Sequence, residues 1–492
     1  MRQFFKAFWP FFLLATLAFT VHLAFLSHPA QVVFDEVHFG KFVSAYFTGK
    51  YYFDIHPPLG KLLIAGFVKL AGVNPVFAFD KIGEAIPANI PSAMRFLPAL
   101  TGGFFVLAFS WLAFLISRSR TAALIAGFLI LLDNAFLVQS KFILVDIFLL
   151  FFETLTFCFF FLYQRQTPFS RRWKSYLALT ALFFGLTISV KWTGVATLGV
   201  IVMILTAKIF WAKLADYLSP QSYLAPPKTP EIPKEQFFGD WERKTRKIKI
   251  KEAWQGLTII LILGAIVYLL PFAAHFRLLP HSGPGDAFAS WAWQQELRYG
   301  PSETSPTFWQ KVIELNKTMY RANAGITSEH PYGSRWWSWP LGHKPVYYWN
   351  QDVFAGQPGW TAKIYFLSNP LLWISGAGLA LLTLLMIIWN KKSRQKISPV
   401  FYILIFAWLA NWLPFILISR VAFLYHYLLP SAFATLILAL CLARLWPKEK
   451  FAFITISSFV AAAFLVFSPY CYGWPLPPAV SRPLNQLINL FI

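Results

Sequence analysis

FWPFFLLATLAFTVHLAFL, residues 8–26, follows Arg2 and Lys6 and ends just before VVFDEVHFGKF, residues 32–42. The first run is long enough to cross about 30 Å of hydrocarbon as a helix. The second sets Asp35 and Glu36 side by side at the mouth of that helix. Basic residues ahead of an apolar run also begin a signal peptide, but this run is long for one and ten comparable runs follow. It therefore reads as an uncleaved first span. The eleven runs begin near Phe8, Phe96, Thr121, Ile143, Tyr176, Thr193, Leu257, Phe366, Val400, Phe423 and Phe451. Of the 492 residues 57% are hydrophobic and only 13% charged, where a soluble chain carries about a quarter charged. The expected fold is an all-α polytopic membrane protein.

The net charge of +22 would suit nucleic acid. The basic residues, however, fall in short loops between apolar runs, which is the positive-inside pattern, so no nucleic-acid partner is expected. Arg118 and Arg120, then Arg165, Arg171, Arg172 and Lys174, then 241–251 (WERKTRKIKIK), then Lys391, Lys392, Arg394 and Lys396 occupy alternate loops. One orientation satisfies them all: amino terminus cytoplasmic, carboxyl terminus outside. Two long aromatic, proline-punctuated segments, 27–95 and 275–363, then lie outside and should carry short interfacial helices. The segment 208–254, containing SPQSYLAPPKTPEIPKEQ, reads as a cytoplasmic tether followed by a basic stretch near anionic headgroups. Cys158, Cys441 and Cys471 show neither disulfide nor metal-ligand spacing. No phosphate loop or dinucleotide fingerprint occurs, which argues against nucleotide chemistry.

Chemistry is therefore sought outside. Asp35, Glu36 and His38 sit among Phe34, Val37 and Phe39, and YYFDIHPPLGKL adds Asp54 and His56 ahead of a Pro-Pro turn. A carboxylate held among aromatic side chains has raised proton affinity, the condition for a useful general base. Adjacent residues point to different faces, so one of Asp35 and Glu36 should meet substrate while the other orders local structure. Arg95, Asp133, Lys141, Asp146, Lys191, Arg420 and His426 fall in spans or at their outer ends, where charges face a polar cavity or one another. Lys141 with Asp146 reads either as an ion pair across a short turn or as part of that cavity. Cations with an aromatic wall suit a lipid-linked phosphate; opposed carboxylates suit activation of a hydroxyl. Proton-coupled transport uses similar residues. A divalent metal at Asp35, Glu36 and His38 is the lesser reading of that trio, and no cofactor is expected.

The order of motifs resembles the protein O-mannosyltransferases. FDEVHFGKF and YYFDIHPPLGKLL match the family's first outer loop. Arg95 in AMRFLPALTGG, SKFILVDIFLLFF around Asp146, VKWTGVA at 190–196 and SGPGDAFASWAWQ at 282–294 follow in the family's order. So do HPYGSRWWSWP at 330–340, IYFLSNPLLW at 364–373 and NWLPFILISRVAFLYHYLLP at 411–430. The resemblance implies a GT-C glycosyltransferase fold that moves mannose from polyprenyl-phosphate mannose to Ser or Thr hydroxyls of translocating proteins, beside the translocation machinery. It implies Asp35 as base, Glu36 supporting the acceptor site, and Arg95 as a functional arginine. Arg420 with Tyr425 and His426 in LYHY would meet the lipid phosphate, with Lys191 and His56 as further cations. His38, Asp54 and Asp146 would support them. The second outer segment is too short for the β-trefoil MIR domain of eukaryotic members, so the chain is similar to the shorter prokaryotic branch, working at the outer face of the plasma membrane. A same-fold transferase acting on a lipid or glycan is the rival. Asn316-Lys317-Thr318 forms a glycosylation sequon in the second outer segment.

Overall fold

The computed structural model describes residues 2–211, 218, 234–326, 329–352, 354, 357–393 and 397–491. Most of the expected tether, 219–233, lies outside the described residues, as do Arg394 and Lys396. The elements are helices α1 (Arg2–Leu23), α2 (Glu36–Thr48), α3 (Leu59–Leu70), α4 (Asn89–Ser117), α5 (Arg120–Leu131), α6 (Asn134–Lys141), α7 (Asp146–Gln164), α8 (Arg171–Val190) and α9 (Ala196–Phe210). Then come α10 (Lys234–Leu278), α11 (Trp291–Tyr299), α12 (Phe308–Ala324), strands β1 (Val346–Gln351) and β2 (Ala362–Phe366), α13 (Pro370–Ser393), α14 (Pro399–Trp412), α15 (Leu428–Leu445), α16 (Lys450–Tyr472) and α17 (Pro478–Asn489).

Among the described residues nine helices are long and apolar enough to cross a membrane, or ten if α5 and α6, bent by 61°, form one span. Phe8–Leu23 is apolar but shorter. Each of the eleven expected runs falls on one of these helices. The basic stretch 241–251, expected in a loop, is instead helical and continuous with the span of α10. Helices α4, α7 and α15 are the most enclosed, while no more than 28% of the apolar stretch of α10, α13 or α16 is buried, as in a helix with one face toward lipid.

The bend between α5 and α6 has a definite cause. Asp133 accepts the Ala135 N–H at 3.0 Å, capping α6, and also accepts the Trp373 indole N–H at 2.7 Å and the Asn369 N–H at 3.3 Å. The break is thus stapled to the start of α13. All eight residues of α6 are buried, and the bend carries Gln139, Ser140 and Lys141 toward the start of α7.

The two long segments 27–95 and 275–363 lock together through backbone hydrogen bonds. Tyr51 N–H donates to His281 at 2.8 Å, and Gly285 N–H donates to Tyr51 at 3.0 Å. This approach explains the SGPGDAF stretch: a Cβ on Gly283 would lie 2.4 Å from the Tyr51 carbonyl oxygen, and one on Gly285 2.5 Å from Tyr52. Asp286 closes the turn by accepting the Gly283 N–H at 2.9 Å. A two-stranded antiparallel sheet, β1 with β2, departs from the all-helical expectation; its register shifts between Tyr347 and Trp349. The C-terminal segment packs at this same end, where Leu476 pairs with Thr361 and Lys344 N–H donates to Phe491.

Arg95 of α4 anchors segment 27–95. Its Nε donates to Glu36 Oε1 and its Nη2 to Glu36 Oε2, both at 2.7 Å, and both side chains have zero exposure. Nη1 reaches the carbonyls of Pro29 at 2.8 Å and Leu26 at 3.2 Å, and Nη2 that of Gln31 at 2.9 Å. Glu36 also accepts the N–H groups of Val33 at 2.9 Å and Ile143 at 3.0 Å. Two expectations are corrected here. Arg95 has no exposed surface to offer a lipid phosphate, and Glu36 has none to offer an acceptor; both are spent on each other and on the backbone. Breaking a buried pair by removing one partner costs about 3–5 kcal/mol because it strands the other charge. Arg95→Ala should therefore lower the melting temperature of the detergent-solubilised protein sharply, and an unchanged melting curve would count against the anchor.

Candidate functional site

Asp35 stands at the start of α2, immediately before the sealed Glu36. Its side chain is half-buried, and among the described residues none hydrogen-bonds to its carboxylate. The residue before it is strained: Phe34 has φ of 39°, uncommon for a bulky side chain and costing about 1–3 kcal/mol. What holds it is Tyr348 of β1. The two rings stack at 4.3 Å and 9°, and Phe34 N–H donates to the Tyr348 carbonyl at 3.1 Å. Burial pushes the Asp35 carboxyl up to about 7; Lys191 pulls it down, and Asp146 and Asp54 push it up.

Around Asp35 the structure gathers most of the expected residues. Lys191, which caps the C-terminus of α8, donates to Asp146 at 2.7 Å and lies 5.9 Å from the Tyr425 ring centre. The charge of Asp35 reaches Tyr348 and Tyr425, and that of Arg420 reaches His56, Tyr425 and His426. Arg420 is half-buried, and no described carboxylate pairs with it, so its positive charge is unspent. His426 stacks on Tyr425 at 4.8 Å and on Trp339 at 5.8 Å, with Nδ1 turned to its own turn at Phe423. Asp54 takes an ion pair from the buried Lys61, which also donates to the His56 carbonyl at 2.8 Å. A small cleft opens here, lined by Tyr52, Asp54, His56, Lys61, His275 and Met319. Behind it Tyr52 donates to Tyr46 at 2.6 Å, and Tyr46 meets His275 at 2.9 Å.

Several expectations change. Lys141 does not pair with Asp146: its ammonium turns to the Ala24 carbonyl and lies 4.5 Å from the Tyr472 ring centre, while Asp146 takes Lys191 from α8. His56 was expected as a cation, but burial and the neighbouring cations Lys191, Lys61 and Arg420 hold it well below its ordinary value, so at neutral pH it offers a neutral imidazole. His38 is exposed on α2 against Phe42, and Glu36 is saturated, so the trio with Asp35 does not converge on a metal. Asn316 of the sequon lies within α12, its amide donating to Val312 and accepting from Tyr268. Lys61, Gln139 and Tyr348 escaped the sequence reading. Lys61 sits inside the quoted HPPLGKL stretch, and Gln139 is a polar residue in an apolar helix; Tyr348 carried no such signal.

A model of the dolichyl-phosphate-mannose-protein mannosyltransferases matches residues 12–280, and one for the C-terminal four-span region of protein O-mannosyltransferases matches 308–487. The chain belongs to the protein O-mannosyltransferase family. It is 31% identical over 330 residues to protein O-mannosyltransferase 1 of Drosophila melanogaster, 67% of this chain and 33% of the relative. It is 33% identical over 305 residues to dolichyl-phosphate-mannose–protein mannosyltransferase 4 of Schizosaccharomyces pombe, 60% of this chain and 36% of the relative. The matched segment thus spans about a third of these relatives. The Saccharomyces cerevisiae protein O-mannosyltransferase Pmt1-Pmt2 complex bound to the sugar donor has the same fold: TM-score 0.80, 19% identity, covering 98% of this chain and 92% of that one. The family's GT-C fold is the architecture seen here.

Asp35 titrates well above the 3.8 of an ordinary aspartate, so folding takes up a proton between 3.8 and about 7. Above pH 7 the folded state carries a buried carboxylate that the unfolded state solvates freely, a penalty that appears as pH rises above 3.8 and is complete above about 7. Asp35→Asn should therefore raise the melting temperature at pH 8 more than at pH 5. Equal or opposite changes at the two pH values would refute the carboxyl's environment.

Proposed function

We propose that the protein transfers mannose from polyprenyl-phosphate mannose to Ser or Thr hydroxyls of proteins, in one inverting step, at the outer face of a prokaryotic plasma membrane. The observation that carries this reading is the unbonded Asp35 carboxyl within reach of the Lys191 charge, with Asp35 and Arg420 both acting on Tyr425. The names of the family relatives support the donor and the protein acceptor.

A hydroxyl is a poor nucleophile at neutral pH, so its proton must leave as it attacks. In this scheme Asp35 takes that proton, the alkoxide-like oxygen bonds to the anomeric carbon, and the bond from that carbon to the phosphate oxygen breaks. The polyprenyl phosphate departs with the bonding electrons. In this scheme Arg420 and Lys191 meet that charge, and fixed cations in a dry site stabilise such charge without reorganising. Of the two, Arg420 is the stronger candidate, because Asp146 already neutralises part of Lys191. A placed carboxylate contributes about 10²–10⁴-fold.

The assay is transfer of labelled mannose from a short polyprenyl-phosphate mannose to a Ser/Thr peptide by the purified full chain. Asp35→Asn should lose about 10²-fold or more in kcat, and kcat/KM of the wild type should climb with pH and level off above about 7, as the carboxyl ionises. Label passing to lipid in place of peptide would move the protein to the rival acceptor class. Near-normal turnover by Asp35→Asn would remove Asp35 as the base.

A further inference from the structure

Between the base and the cations runs a chain of side chains that the mechanism above does not use. Gln139 of α6 is 2% exposed and Tyr348 of β1 is 1% exposed. Gln139 Nε2 donates to Asp146 Oδ2 at 2.9 Å, and Tyr348 donates from its hydroxyl to Gln139 Oε1 at 2.9 Å. The other oxygen of Asp146 receives Lys191, and the ring and carbonyl of Tyr348 hold the strained Phe34 that precedes Asp35. The polarity of this chain is forced. An ionised carboxylate only accepts, so the glutamine must turn its NH₂ to Asp146 and its carbonyl to Tyr348, and the tyrosine must then donate.

We propose that Gln139 and Tyr348 are positioning residues for the transfer: together they form a rigid bridge that sets the separation between the Asp35 carboxyl and the Lys191 ammonium. The proposal rests on the reading of Asp35 as base and Lys191 as a phosphate partner. The chemistry favours glutamine here. A neutral amide joins a carboxylate to a phenol with both of its polar ends occupied. A glutamate would set a second carboxylate against Asp146, and an aliphatic side chain would leave a buried carboxylate oxygen short of a donor, which is costly. The bridge also joins elements far apart in the chain: α6, the start of α7, the end of α8, and β1 in the second outer segment. Both bridge residues are sealed from solvent and act through Phe34 and Asp146. Their effect should therefore fall on kcat and leave acceptor binding alone, since misplacing reacting groups by about 1 Å costs about 10²-fold in rate.

The test uses the peptide assay on wild type, Asp35→Asn, Gln139→Glu, Tyr348→Phe and the Gln139→Glu/Tyr348→Phe double variant, with a melting curve for each. Tyr348→Phe removes one hydroxyl, keeps the stack on Phe34, and should fold even if changes at Gln139 do not. It should lower kcat by about tenfold, the scale of one hydrogen bond. Gln139→Glu should lower kcat by about 10²-fold, both with KM for the peptide unchanged. In the double variant kcat should match Gln139→Glu alone, because both changes break the same bridge. A folded Tyr348→Phe protein with wild-type kcat would overturn the proposal, as would a loss confined to KM or losses that multiply independently. An inactive wild type would instead sink the proposed function, and an active Asp35→Asn would sink the base; neither outcome mimics a failed bridge.

Discussion

The buried pair of Arg95 and Glu36 is the constraint from which the rest of the site follows. Removing two charges from water costs several kcal/mol per ion, and the loss is offset only when the remaining donors and acceptors are also satisfied. Here they are: the guanidinium takes three backbone carbonyls besides the carboxylate, and the carboxylate takes two backbone N–H groups. Three separate pieces of chain, the approach to α2, the start of α4 and the turn before α7, meet at this one point. With Glu36 locked inward, its neighbour Asp35 must project elsewhere, because adjacent helical positions differ by about 100°. That is how an acidic pair becomes one anchor and one free carboxyl.

Two effects compete over the proton on that free carboxyl. The N-terminus of α2 favours the anion by about 0.3–1 kcal/mol. Burial acts the other way, and a rise from 3.8 to about 7 corresponds to about 4 kcal/mol. Burial wins, and the carboxyl is left poised near neutral pH. A base of ordinary acidity would be too weak to draw a proton from a hydroxyl. Across the site, Asp146 fixes Lys191 in place at the cost of part of its charge, whereas no described carboxylate pairs with Arg420.

Segments 27–95 and 275–363 behave as one body because their backbones are bonded to each other. Glycine at 283 and 285 permits that contact, and Asp286 closes the turn that presents it. The strain at Phe34 is borne by Tyr348, contributed from the second segment to the first. A site split between two distant stretches of chain is thereby held without a disulfide or a large domain.

Composition and apolar run length alone determined that this chain is a bundle of membrane-length helices, because a stretch must be long and apolar to satisfy its backbone within hydrocarbon. The same logic singled out Asp35, Asp54, His56, Asp146, Lys191, Arg420 and His426, since charge in such surroundings needs a reason, and the structure brings these together. It also drew in His38, which stands exposed, and Arg95 and Glu36, whose partners turned out to be each other. Only the tertiary structure decided partnership. Lys141 is five positions from Asp146 yet turns to α1, whereas Lys191, forty-five positions away, reaches it. Separation along a chain does not say which way a side chain points; helix rotation, the bend at Asp133 and the bonding of segments 27–95 and 275–363 set that direction, and with it the hydrogen bonds of Gln139 and Tyr348.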